Sequence, residues 1–335
     1  MRWILFLLAA AMAGAAAARE PVIDMHLHAM SADDQGPPPL SVCTPLDPMP
    51  RWDGHEPWAD ALVDYFRHPP CRDPVTSPVT DDAVRDRTLA EMRRYNVIGV
   101  VSGPTDRLRA WRALAPGRIL FGIDPPVKTL ADAAALRRFA EPLRRTGDAT
   151  VIGEIPAQYL GIGPDDPRLE GLWTTAEALD LPVALHVGPG PPGAAYLPGM
   201  AFQARLSDPL LLESVLLRHP RLRIYVMHAG YPMLERMLAL MYVHPQVYVD
   251  TGVIVWSQPR AAFYRYLKGM VDGGFSDRIM FGSDQMVWPE TIGRSIRVIE
   301  EAPFLTRRQK RAILYDNAAR FLRLDEATIR RHHAK

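Results

Sequence analysis

Eight short, β-branched apolar runs recur along this 335-residue chain, with helix-length segments between them. The strand candidates lie at 21–25, 96–101, 118–123, 151–155, 182–187, 223–227, 247–250 and 278–281. Helical patterning falls at 82–95, 131–145, 169–179, 209–218, 232–242, 260–271 and 291–300, with a shorter candidate at 107–114. A strand that is followed by a helix returns to the sheet parallel to its neighbour, so the alternation implies parallel pairing with helices outside. Eight units predict an α/β fold of the closed (β/α)8 TIM-barrel type, with its active site at the C-terminal strand ends. A doubly wound open sheet is the alternative. It wants a Gly-rich phosphate turn after the first strand, and Met25-His26-Leu27-His28 is not one.

Composition bounds the partners. At 48% hydrophobic and 23% charged the chain is globular, not disordered. The net charge of +1 argues against a nucleic-acid-gripping protein, which needs a concentrated basic surface. A small-molecule substrate is the expectation.

Residues 1–18 read as a secretory signal peptide: a basic start at Arg2, an apolar run over 3–12, and an Ala16 to Ala18 cleavage site. An uncleaved anchor is the alternative, but the run is short for a spanning helix. No Cys follows the small residues, which argues against a lipoprotein. Cleavage leaves 19–335 as one barrel domain with no stable membrane span, in the periplasm or outside the cell. In such an oxidising compartment Cys43 and Cys71 are expected to pair as a disulfide. Neither has a cysteine two to four residues away, so a cysteine metal site is disfavoured.

Residues 30–80 interrupt the alternation. They hold eleven of the 32 prolines, both cysteines, Trp52 and Trp58, and no sustained periodicity. Long loops are usually functional or disordered. This Pro-rich insertion leaves the C-terminal end of strand one and reads as a lid or pocket wall. A mobile surface insertion is the alternative.

The chemistry lies in polar residues that end apolar strands. Asp24, His26 and His28 are spaced by two, which places all three on one face of strand one. Strand four ends at Glu154, strand five at His186, strand six at His228 and strand eight at Asp284. Burying so many ionisable groups independently is costly, and a shared divalent cation relieves the cost. Trp52, Trp58, Tyr231 and Trp256 flank strand ends and are candidate substrate contacts, with core packing as the competing account of each.

These motifs together resemble the amidohydrolase superfamily, and within it the amidohydrolase-related branch that includes aminocarboxymuconate-semialdehyde decarboxylase. They are His26-x-His28, His186, His228-Ala229-Gly230 and Phe281-Gly282-Ser283-Asp284, followed by Asn317-Ala318 near the C-terminus. The resemblance implies that His26, His28, His186 and Asp284 hold Zn²⁺, one ion or two. His228 is then a second metal ligand or the acid/base that polarises substrate, and Asp284 also takes the proton of the attacking water. Better-known binuclear members carry a carboxylated Lys on strand four, where this chain has Gly153-Glu154-Ile155. Glu154 then bridges two metals, ligates one, or orients a ligand.

Two reactions fit that pattern. One is hydrolysis of an amide, ester or lactone by metal-bound hydroxide. The other is non-oxidative decarboxylation of an aromatic or unsaturated acid. Export and the extra carboxylate favour hydrolysis. A non-catalytic binding barrel with a relict metal site is the third reading. A homodimer is common in this branch.

Overall fold

The computed structural model describes residues 19–334; the leader expected over 1–18 lies outside them. Eight parallel strands follow one another around a barrel. They are β1 (Val22–His28), β2 (Val97–Gly103), β3 (Ile119–Ile123), β4 (Val151–Ile155), β5 (Val183–His186), β6 (Ile224–Met227), β7 (Val247–Asp250) and β8 (Ile279–Met280). Each pairs in parallel with the next. Backbone bonds then link β8 to β1: Met25 N–H donates to Phe281 O at 2.9 Å, and Asp284 N–H to His26 O at 2.7 Å. The architecture is a TIM barrel.

Two apolar layers fill it. Outward-facing residues such as Leu27, Val101, Phe121, Leu185 and Val226 pack under the helices. Inside lie Ile23, Met25, Val100, Val151, Ala184, Tyr225, Met227 and Met280. Tyr315, Ala318 and Phe321 from the C-terminal helical segment join that inner group. They plug the N-terminal end, where Asn317 Nδ2–H donates to Ser276 O and Ile279 O. The opposite end remains for the polar strand ends.

Strand one does not keep the simple alternation. Its pairing with β2 slips between Asp24 and Leu27. Such an irregularity shifts which side chains face inward. Ile23 and Met25 therefore occupy the interior. The buried Asp24 carboxylate turns back onto the chain and accepts from the His26 and Ser283 amides, both at 3.0 Å. It does not share the working face of His26 and His28.

The insertion is more ordered than its sequence suggests. A two-stranded antiparallel ribbon pairs Ser41–Val42 with Val75–Thr76. A helix spans Trp58–Arg67, with Trp58, Leu62 and Phe66 buried at four-residue spacing. That spacing gives one apolar stripe, which packs into the main core. A disulfide joins Cys43 to Cys71.

Candidate metal centre

Six ionisable side chains converge at the barrel mouth. His26 and His28 come from β1, Glu154 from β4, and His186 from the last position of β5. His228 and Asp284 follow β6 and β8 directly or within four residues. Their geometry has two poles. At one, His28 Nε2 lies 3.1 Å from Asp284 Oδ1 and 3.2 Å from Glu154 Oε2. His26 Nε2 lies 3.3 Å from Glu154 Oε2 and 3.6 Å from Asp284 Oδ1. At the other, Glu154 Oε1 is 2.6 Å from His186 Nδ1 and 3.8 Å from His228 Nε2, and the two rings approach to 3.0 Å. The Glu154 carboxylate spans both poles.

This arrangement fits a divalent metal. Bonds of about 2.0–2.1 Å in a tetrahedron leave ligand atoms about 3.3 Å apart, close to the separations at the first pole. Imidazole nitrogen and carboxylate oxygen are a borderline donor set that suits zinc and its neighbours. Asp284 Oδ1 and His186 Nε2 are buried with no hydrogen-bond partner. Asp284 Oδ1 approaches His28 Nε2 closely but without hydrogen-bond alignment, as expected of two groups that share a ligand rather than a proton. An unpaired buried carboxylate oxygen is costly without such a partner.

Electrostatics point the same way. Burial opposes charge on His28, but the facing Asp284 and Glu154 carboxylates outweigh it and push the ring up to about 9. Burial likewise opposes charge on His26, yet the carboxylates of Asp284 and Asp250 drive it well above the usual imidazole range. Burial works against ionised Glu154, but hydrogen bonds from His186 and the other rings hold it well below the carboxylate range. Asp284 is held down against burial by His26 and His28. Burial and the charge of His228 lower His186. Burial raises Asp24 to about 7. Raised imidazoles thus face lowered carboxylates, a pairing that a shared cation would replace.

Several residues that the sequence reading passed over hold this set in place. The buried Asp250 carboxylate at the end of β7 meets His26 Nδ1 at 3.1 Å. Ser102 on β2 accepts from the Glu154 amide at 2.9 Å and donates to Gly153 O at 2.6 Å. Gln285 clamps the backbone of His28 on both sides. Of these, Asp250 carried a signal: it too ends an apolar strand. The backbone is strained where it turns into the mouth, since His228, Ala229, Val253, Asp284 and Met286 are all left-handed without being glycine. Such conformations cluster at functional sites.

The other candidates divide. The Trp58 indole N–H donates to Pro192 O at 2.8 Å, which ties the insertion helix to the loop after His186. Trp52 stacks at 4.9 Å on Tyr196 of that loop and remains 40% exposed. Both tryptophans therefore stand at the rim beside the β5 exit. Tyr231 packs on Tyr266, whose hydroxyl donates to Ala229 O and so braces the His228–Gly230 turn. Trp256 is buried in the core against Trp288 and donates to Ser283 O. Tyr159, just past Glu154, lies 4.7 Å from the His186 ring and lines the second pole.

A TIM barrel with histidines and carboxylates gathered at its C-terminal mouth is the architecture of a metal-dependent enzyme. The chain belongs to the amidohydrolase family, whose model matches residues 23–324. No curated protein matches it significantly. Among solved structures it is similar to an uncharacterised TIM-barrel protein from Bordetella bronchiseptica, at 16% identity and TM-score 0.61 over 92% of this chain and 99% of that one. It is also similar to 5-carboxyvanillate decarboxylase from Sphingomonas paucimobilis, at 14% identity and TM-score 0.56 over 91% and 99%. A third likeness is a probable 2-pyrone-4,6-dicarboxylic acid hydrolase from Acinetobacter baumannii, at 14% identity and TM-score 0.56 over 90% and 99%. At these identities the likeness carries the fold, and reaction type must be argued from the site.

Proposed function

We propose that this chain is an exported, zinc-dependent hydrolase that cleaves an amide, ester or lactone of a small molecule. The observation that carries the reading is the Glu154 carboxylate spanning two poles, with Asp284 Oδ1 buried and unpartnered beside them. His26, His28, Glu154 and Asp284 hold the metal at the first pole, and His186 and His228 extend the donor set at the second. A zinc ion bound there lowers the pKa of water to about 7 and polarises a carbonyl.

The remaining work falls to the protein. Asp284 stays ionised because His26 and His28 face it, so it can accept the proton of an attacking water. The His228 Nδ1 lies 2.8 Å from Gly252 O, so the neutral ring keeps its Nε2 lone pair facing the cluster. The insertion helix meets the loop after β5 through Trp58 and Pro192 O, and in this reading the two form a rim beside the site. Export rests on the leader features of residues 1–18 and on the cysteine pair in the insertion.

Metal analysis of the purified mature protein, joined to a substrate screen, tests the proposal. Lactones, esters and amides are assayed beside aromatic acids, with released CO2 monitored. Hydrolysis that disappears in His26→Ala and Asp284→Asn supports the reading. Release of CO2 without hydrolysis shows instead a decarboxylase, the reaction of several structural neighbours. Metal content and turnover that survive both substitutions refute a metal enzyme.

A further inference from the structure

Strand β7 supplies no atom that faces the metal-binding poles, yet its end touches both β1 and β6 histidines. Asp250 is fully buried. Its Oδ1 accepts the backbone N–H of His228 at 2.9 Å and of Gly252 at 2.8 Å. Its Oδ2 lies 3.1 Å from His26 Nδ1. Two residues on, Gly252 O lies 2.8 Å from His228 Nδ1. A carboxylate and a carbonyl are acceptors only, so each of these contacts requires a proton on Nδ1.

We propose that the β7 end is a tautomer template: Asp250 and Gly252 O hold His26 and His228 as Nδ1–H rings, so that both present Nε2 to the metal. Asp250 is thus a positioning residue, acting through His26 directly and through the His228 backbone. Gly252 is part of the device, because a Cβ there would fall 2.2 Å from His26 Nδ1 and displace the ring. The neutral imidazole has one donor and one acceptor nitrogen, so the choice of acceptor partner decides which nitrogen can ligate. The same carboxylate also pins the left-handed turn at His228, so one side chain sets the ring state of one histidine and the backbone of the other.

The inference rests on reading the cluster as a metal centre, and the test separates the two. The whole protein, labelled with ¹⁵N-histidine, is titrated with zinc, and the protonated ring nitrogens of His26 and His228 are assigned by NMR. Nδ1–H on both rings of the zinc-loaded protein is expected. A ring proton on Nε2 of either one, with zinc bound, overturns the template alone. No zinc uptake by the unsubstituted protein overturns the metal reading, and the template with it.

The variant Asp250→Asn sharpens the result. The two backbone amides require its remaining oxygen, which turns an NH2 donor towards His26. The His26 proton must then move to Nε2, while His228 keeps its Nδ1–H. Zinc affinity should fall about 10–100-fold, the usual loss for a partner of a metal ligand. A folded Asp250→Asn protein with unchanged affinity and an unmoved His26 proton overturns the proposal. If the variant does not fold, the measurement on the unsubstituted protein still decides.

Discussion

Reducing the Cys43–Cys71 bond should destabilise the whole barrel, not merely loosen its insertion. The bond closes a loop of 28 residues. The chain-entropy relation gives a stabilisation of about 3.6 kcal/mol for that length at 25 °C. Where the loss appears depends on whether the insertion unfolds with the barrel. Leu40, Val42, Cys43, Leu46, Trp58, Leu62 and Phe66 all belong to the main core cluster, together with the outer faces of the barrel strands. Arg294, on the helix Thr291–Glu300, further ties Asp73 and Thr44 to the barrel wall. The insertion is therefore inside the cooperative unit. Equilibrium denaturation of the metal-free protein, with and without a thiol reductant, should show one transition moved by about 3–4 kcal/mol. A Cys43→Ala/Cys71→Ala protein should match the reduced form, apart from a small extra cost for lost volume at the buried Cys43. A change below about 1 kcal/mol, or an early transition that leaves the main one in place, refutes the reasoning.

Other perturbations read the centre and its rim. Metal affinity, measured by competition with a chelator, should rise with pH through about 9, because zinc must displace the protons that the facing carboxylates hold on His28 and His26. The slope between pH 7 and 9 should reach about tenfold per unit or steeper, and a flat profile contradicts a proton-occupied centre. Glu154→Gln removes the carboxylate that contacts both poles, so zinc binding should weaken and the His28 titration, followed by its ring proton resonances, should move well below 9. Retained affinity with an unmoved titration removes Glu154 from the centre. Trp58→Ala deletes a buried indole and its bond to Pro192 O, and should cost about 3–5 kcal/mol in the same denaturation assay. Gly193→Ala should be destabilising as well, since its Cβ would lie 2.1 Å from Trp58 Nε1.

The barrel was legible because alternation is a property of the whole chain. Eight apolar runs with helices between them survive errors of a few residues at any one boundary. The candidate cluster was legible because strand ends are where a barrel must place its polar groups. His26, His28, Glu154, His186, His228 and Asp284 all sit at such ends, and they come together. What the pattern hid was local. A slip in β1 pairing takes Asp24 off the histidine face, and a period-two argument assumes that no such slip occurs. The Trp58–Arg67 helix lay among prolines that masked its Trp58, Leu62 and Phe66 spacing. Trp256 follows a strand end and is nevertheless core, because proximity in sequence does not say which way a side chain turns.

The residues hardest to read, Ser102, Gly122 and Asp250, explain how the barrel can spend its other strand ends on donors. A metal centre needs side chains held at fixed distances, and Glu154, His26 and His228 are held by side chains of other strands. The β2 hydroxyl of Ser102 grips the Gly153–Glu154 backbone from two strands away. It reaches there because β3, between β2 and β4, carries Gly122 at that level, where a Cβ would fall 2.7 Å from Ser102 Oγ and 2.6 Å from Gly153 O. Asp250 of β7 does the same for β1 and β6. So β1, β4 and β6, which present donors, are steadied from β2 and β7, which present none. A serine and a glycine carry no metal-site signature in sequence, because their function is defined only by what other strands bring beside them, and Asp250 signals only that it ends an apolar strand.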